Sequence, residues 1–191
     1  MRLAAEELME EDDSLNIKVI DSLCASMGEG LLVYKAVELR KDGKSFEEVC
    51  KYVEDRKLNI VHLFTVDDLN HLYLGGRVTK GAAVIGTMLS VKPLLHVDNE
   101  GHLVPLLKLR GRNKALMSLI DDMSKKMGSF EDENDVIFIS HADSLDDAKI
   151  VADEIIKSFG QKKIMINNIG PTIGAHSGPG TIAIFFLGDV R

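Results

Sequence analysis

Tryptophan is absent from this 191-residue sequence and only 5% of its residues are aromatic, so its core must be mainly aliphatic. Cysteine is scarce as well, because Cys24 and Cys50 form neither a disulfide framework nor a metal-type spacing. We interpret both as free thiols in a reducing compartment. No apolar run reaches the roughly 18 residues of a spanning helix, and the charged first residues contain no signal peptide. These absences predict a soluble cytoplasmic protein.

The sequence also lacks the excess of positive charge that is typical of nucleic-acid-binding proteins. Its net charge is −7, from 23 basic and 30 acidic residues, which argues against nucleic acid as a partner. The histidines form no H-E-x-x-H or comparable pair, so we expect neither a metal site nor a cofactor. They are His62, His71, His96, His102, His141 and His176.

The hydrophobic patterns predict an α/β protein. Helical patterns are predicted over Arg2–Glu11, Met27–Lys41, Ser45–Arg56 (opened by the capping box of Ser45 and Glu48), Thr65–Gly75, Thr79–Ser90, Asn113–Met127 and Ser144–Phe159. Strands are predicted over Asn16–Asp21, Asn59–Phe64, Lys92–Val97, His102–Leu109, Val136–Ser140, Lys163–Ile166 and Thr181–Leu187.

Two regions of different character are predicted. The continuous apolar run Asn59–Phe64 is typical of a parallel strand covered on both faces, so residues 1–75 are interpreted as part of a parallel, doubly wound domain. The loop Asp98–Gly101 favours an antiparallel hairpin, so residues 76–191 are interpreted as a second α/β domain with a mixed sheet. We place the boundary at Gly75–Arg77.

The glycine-rich segment I-G-P-T-I-G-A-H-S-G-P-G, Ile169–Gly180, is the strongest candidate for a binding site. Glycine permits positive φ and close approach of a ligand, and His176 and Ser177 offer hydrogen bonds to a polar or anionic group. A purely structural turn between two strands explains the composition equally well. The segment is neither a P-loop nor a G-x-S-x-G nucleophile elbow.

Catalysis is an alternative that the residue types leave open. A triad of Ser177, His141 and Asp143 can be written down, and a small hydrolase or transferase could use His176 or His141 as general base. The helix cap expected from Asp143 or Ser144 explains the H-A-D-S segment without any catalysis.

Two basic features are compatible with an anion or a partner. Arg77, after two glycines, either pairs with an anion or simply follows a helix C-cap. Arg110 and Arg112, with Lys114, form either a solvated face or a contact for a phosphorylated product or a partner.

Three segments in this order resemble the DegV family: G-G-R-V-T with L-S-V-K-P-L-L-H-V-D-N-E-G, K-L-R-G-R-N-K-A-L, and I-G-P-T-I-G-A-H-S-G-P-G-T-I-A-I-F-F-L-G. S-L-C-A-S-M-G-E-G-L-L is similar to the family's pattern as well. The resemblance implies a two-domain α/β protein that binds a long-chain fatty acid between its domains. It further implies presentation of that ligand to a separate fatty acid kinase, the DegV-like protein itself being a carrier and not an enzyme.

The resemblance also implies roles for individual residues. His176 would hold the fatty-acid carboxylate, with Gly174, Ala175 and Ser177 shaping that end of the pocket. Arg77, Arg110 and Arg112 would contact the kinase or the acyl phosphate. The apolar residues expected to line the acyl tunnel are Ile173, Val84, Leu89 and Phe185.

The chain departs from the family pattern at its beginning. The T-D-S and S-G-T segments of the family are absent, and their hydroxyl residues would complete the carboxylate site. The first region is therefore interpreted as a remnant of the parallel domain, with His176 as half of a binding site. Apolar surface exposed by such a truncation would favour an oligomer, or leave a module that only docks onto a partner.

Overall fold

We analysed a computed structural model of the chain, which describes residues 1–79 and 91–191. The helix predicted over Thr79–Ser90, together with Val84 and Leu89 as tunnel residues, lies outside the described residues.

Three helices precede the first strand, and helices and strands are mixed along the rest of the described chain. Helices α1 to α7 are Arg2–Glu11, Met27–Lys41, Phe46–Arg56, Leu69–Leu74, Arg112–Met127, Leu145–Phe159 and Pro171–Ser177. Strands β1 to β6 are Ile60–Thr65, Val91–Val97, Leu103–Arg110, Val136–His141, Lys163–Asn168 and Ile182–Leu187. Short 3-10 turns occupy Lys57–Asn59 and Gly128–Phe130.

The described strands form one six-stranded sheet with the order β3-β2-β1-β6-β4-β5. Only β4 and β5 pair in parallel, so the α/β class and the mixed sheet are confirmed, as is the antiparallel β2–β3 hairpin. The parallel pairing expected for β1 is wrong, because β1 runs antiparallel to both β2 and β6. Its continuous apolar run reports burial of both faces, which either pairing can produce. The division into residues 1–75 and 76–191 stays a prediction, although β1 shares its sheet with all the later strands.

The two faces of this sheet are covered differently. Helices α5 and α6 pack on one face, which we call the closed face. Its central strand residues are fully buried: Val61, Leu63, Ile137, Ile139, Ile184 and Phe186. Helix α2 packs on the opposite face, which we call the cavity face. Its central strand residues are Ile60, His62, Phe64, Val136, Phe138, Ser140, Ala183, Phe185 and Leu187.

Local signals located most elements correctly, with two corrections before β2. The capping box at Ser45 and Glu48 is present, with both hydrogen bonds made. Residues Asn16–Asp21 form no strand in the described part of the chain, because alternation alone does not supply a strand to pair with. Helix α4 is capped by the Asp68 carboxylate, which accepts from the Asn70 N–H at 2.8 Å, and not by Thr65 or Asp67.

The glycine-rich segment is also more regular than expected, because it contains the short helix α7. Pro171 stands at its first position, where the missing N–H costs nothing and φ is already helical. Gly178 ends it with φ of 78°, a conformation that glycine adopts without a Cβ penalty. Proline and glycine at these two positions are the sequence signal of a helix start and stop.

Candidate functional site

A cavity of about 280 Å³ lies against the cavity face. Its floor is made of strand side chains: His62, Phe64, Ser140, Ala183 and Phe185. Its other walls come from α4, the β2–β3 hairpin, helix α7 and the segment before α2, chiefly Leu72, Val97, Leu103, Ile173, Ala25 and Ser26. The lining is mainly apolar, with a few polar groups, as in most small-molecule sites.

His176 reaches this cavity from the last turn of α7, where it packs against the end of α4. A Cβ placed on Gly75 would lie 2.2 Å from His176 Nδ1, so any other residue there would displace the His176 ring. Gly178 has the same relation to His71, whose Cδ2 would lie 2.4 Å from an added Cβ. Contacts between histidine rings and glycine backbone thus join the G-G-R segment to the glycine-rich segment.

Ser177 is buried in the cavity wall, with 4% of its surface exposed. Its hydroxyl has no hydrogen-bond partner within residues 1–79 and 91–191. The Thr181 hydroxyl donates instead to the carbonyls of Ser177 (3.0 Å) and Gly178 (2.8 Å), which fixes the turn after α7. A buried hydroxyl without a partner costs about 1–3 kcal/mol, and a polar ligand group would remove that cost.

His62 lies in the middle of β1, with 2% of its surface exposed. Its Nδ1–H donates to the Ile60 carbonyl at 3.0 Å, and its Nε2 accepts from the Ala25 N–H at 3.2 Å. Burial, reinforced by the charge of Arg191, lowers the pKa of His62 to about 3, so the ring is neutral. Sequence reasoning missed this residue, although a histidine inside the apolar run N-I-V-H-L-F was a signal.

Ser26 and Ser140 are further cavity residues that sequence reasoning missed. Their hydroxyl oxygens lie 3.2 Å apart, although 114 residues separate them along the chain. Ser26 has φ of 55° and ψ of −136°, a backbone conformation that non-glycine residues rarely adopt. Nothing in the sequence signals a positive φ at a serine.

The structure brings some of the candidate residues together and separates others. Ile173, His176, Ser177 and Phe185 line the cavity, and the exposed Arg77 lies at its rim, where Nη1 donates to the Gly75 carbonyl at 2.5 Å. The intervening residues Gly174 and Ala175 belong to α7 but do not line the cavity.

The basic residues after β3 lie elsewhere. Arg110 is exposed at the end of β3, and Arg112 pairs with Asp147 at 2.7 Å and with Asp67 at 3.5 Å. Neither lines the cavity, and a phosphate or partner role for them stays a prediction.

The arrangement needed for a serine hydrolase is not assembled. His141 Nδ1 accepts from the Ser144 N–H at 3.2 Å, and His141 and Asp143 line a separate surface depression. Ser177 therefore has neither a base nor an orienting acid at hydrogen-bond distance among the described residues.

No group of three or more potential metal-binding side chains occurs within the described ranges. None of the helices in those ranges combines the length and the apolar character that crossing a bilayer requires.

The mixed sheet and its largely apolar cavity, edged by a histidine and serine hydroxyls, define an α/β protein with a candidate small-molecule site. The family model described as "Uncharacterised protein, DegV family" matches residues 1–189, and the chain belongs to the DegV family. It is 43% identical over 189 residues to a DegV domain-containing protein, CPE0026, of Clostridium perfringens. That match covers 99% of this chain and 64% of the relative, so the chain spans somewhat less than two thirds of the relative's length.

Solved structures share the fold. The DegV protein of Bacillus subtilis, described as a fatty acid binding protein, superposes with a TM-score of 0.76 at 29% identity, covering 98% of this chain and 66% of its own. The Fatty Acid Kinase (Fak) B3 protein of Streptococcus pneumoniae, loaded with linoleic acid, gives a TM-score of 0.89 at 24% identity. This superposition covers 98% of this chain and 66% of that chain, and it shows that the two proteins share a fold.

Proposed function

We propose that this chain binds a long-chain fatty acid in the cavity, with the carboxylate at His176 and Ser177 and the acyl chain along the apolar side chains of the lining. The observation that carries the proposal is the Ser177 hydroxyl, which is buried beside His176 in a mainly apolar cavity and has no hydrogen-bond partner among the residues that the structure describes. Family membership and the fatty acid binding of the Bacillus subtilis relative support it.

The two ends of the ligand would contribute to binding in different ways. Each buried methylene contributes about 0.8 kcal/mol, so the acyl chain supplies most of the affinity. A hydrogen bond from His176 or Ser177 to the carboxylate adds about 1.5–3 kcal/mol and sets the orientation.

The first experiment is mass spectrometry of an organic extract from the purified protein, followed by titration with heptadecanoic acid. We expect a co-purified fatty acid, and binding at least about tenfold weaker in His176→Gln. The control is His102→Gln, because His102 is exposed and faces Asp98 at 3.5 Å, away from the cavity lining. A wild-type protein that neither carries nor binds fatty acid would contradict the proposal.

We further propose that the protein is a carrier and not an enzyme, and presents its ligand to a fatty acid kinase that forms the acyl phosphate with ATP. The exposed Arg77 at the cavity rim is suited to this contact, because its planar guanidinium binds carboxylate and phosphate in bidentate fashion.

This second step is tested by mixing the loaded protein with a bacterial fatty acid kinase and ATP. Arg77→Ala should lower acyl phosphate formation by a larger factor than it lowers fatty-acid affinity. Equal losses would assign Arg77 to ligand binding alone, and no acyl phosphate from the wild type would exclude the kinase as a partner.

A further inference from the structure

The cavity contains two hydroxyl groups that the His176 end does not use. Ser26, at the start of α2, and Ser140, on β4, both line the cavity, and their hydroxyl oxygens lie 3.2 Å apart. Two hydroxyls carry two protons, and one bond between them uses only one. Neither hydroxyl makes another hydrogen bond within the described ranges, so one O–H is free to donate.

The position of Ser26 indicates that its hydroxyl serves something other than the helix. Ser26 occupies the N-cap position of α2, where serine ordinarily accepts a hydrogen bond from the first turn, yet its side chain caps nothing. Its backbone conformation, with φ of 55°, is one that persists only where surrounding contacts hold it, and such residues concentrate at functional sites.

His62 supplies the contact that holds this segment. Its Nε2 accepts the Ala25 N–H, the amide just before Ser26, at 3.2 Å. The ring also lies close against the Gly28 backbone of α2, where an added Cβ would be 2.2 Å from Nε2. On its other side the ring stands edge-on to Phe185, with centroids 5.2 Å apart.

We propose that the Ser26–Ser140 hydroxyl pair is a second polar subsite of the cavity, which His62 positions and which donates one O–H to an acceptor oxygen of the bound acyl ligand. The inference rests on the proposed fatty-acid binding. Because a hydroxyl donates a hydrogen bond without carrying a charge, the pair can bind either a carboxylate or a carbonyl oxygen. It would add a hydrogen bond that His176 alone does not supply. The resemblance implies that hydroxyl residues absent from this chain complete the carboxylate site with His176. Ser26 and Ser140 would take the place of those residues.

The test compares binding of heptadecanoic acid and of its methyl ester to Ser26→Ala, Ser140→Ala and the double variant. The double variant removes every donor of the pair, so it should weaken binding of the acid about tenfold, the loss expected for one hydrogen bond to a charged group. Each single variant keeps one hydroxyl with its own proton, so it should weaken binding less than the double variant does. A loss confined to the acid identifies a carboxylate as the acceptor, and a loss shared by the ester identifies the acyl carbonyl.

Ser118→Ala is the matched control, because Ser118 is a buried serine whose hydroxyl donates to the Ala115 carbonyl at 2.7 Å, outside the cavity lining. Unchanged affinity in the double variant, with His176→Gln still weakened, would overturn the subsite and leave the proposed function standing. A wild-type protein that binds no fatty acid would overturn both.

The positioning role of His62 has its own readouts. His62→Gln should weaken acid binding in the wild-type background and add nothing in the Ser26→Ala background. An equal loss of affinity in both backgrounds would show that His62 acts only through packing. Nitrogen NMR of the wild-type protein should show the Nδ1–H tautomer of His62 with and without ligand, and any other tautomer would contradict the positioning contact.

Discussion

The two faces of the sheet use the same strands but are built from different chemistry. On the closed face, the six central side chains are hydrophobic and fully buried under α5 and α6. On the cavity face, His62 and Ser140 occupy central positions, and the covering segments leave a space of about 280 Å³. Neighbouring residues of one strand therefore serve opposite purposes, because successive side chains point to opposite faces. We expect the closed face to contribute more to stability, and the cavity face to contain the proposed binding site.

Phe186 and Phe185 offer the strongest test of this difference, since they are adjacent in β6 and point to opposite faces. Phe186→Ala should lower the free energy of unfolding by about 3–5 kcal/mol, because it opens a hole in a fully packed interior. Phe185→Ala should lower it less, because part of that ring borders an existing cavity. Urea unfolding measures both, and equal losses would show that the two faces are packed alike.

Gly28 and Gly30, both in α2, test how tightly the cavity face is held around His62. Gly28→Ala should destabilise the protein by about 2–3 kcal/mol, because the added Cβ would overlap the His62 ring. Gly30→Ala should stabilise it by up to about 1 kcal/mol, since its Cβ would meet only Phe138 Cε2 at 3.8 Å and alanine favours the helix. Thermal or urea unfolding measures both changes in stability, and a change of the same sign in the two variants would contradict this expectation.

The pH dependence of stability should carry the signature of the buried His62. Burial lowers its pKa from 6.5 to about 3, so below pH 6.5 the unfolded chain takes up a proton that the folded protein refuses. This contribution to stability is complete above that pH and is lost as the pH falls toward 3. Between neutral pH and about pH 5 we expect a loss of about 2 kcal/mol. His62→Gln should show a correspondingly flatter profile in urea unfolding, and an identical profile would contradict the assignment to His62.

Most helices and strands could be predicted because their signals are local. The capping box at Ser45 and the hairpin loop at Asp98–Gly101 act within a few residues, and both are present. The start and stop of α7 were equally visible in Pro171 and Gly178, but the density of glycine in the segment obscured them. The direction of β1 could not be read from its residues, because the partners that set it come from distant parts of the chain.

The residues of the candidate site also fall into two groups, those that local sequence could predict and those that it could not. His176, Ser177 and Ile173 stand together in one short segment, and their shared place in the cavity wall follows from their spacing on α7. Ser26 and Ser140 are brought together only by the packing of α2 against the sheet, and their pairing has no counterpart in the sequence pattern.

By itself, the amino-acid sequence determined the capping box at Ser45 and the hairpin loop at Asp98–Gly101, and it placed His176 in a short segment bounded by glycines. Backbone hydrogen bonding and side-chain periodicity repeat within a few residues, so such features can be read locally. Only the tertiary structure decided which polar groups share the cavity: His62 against Gly28, Ser26 against Ser140, His176 against Gly75. Those contacts depend on strand register and helix packing over the whole chain.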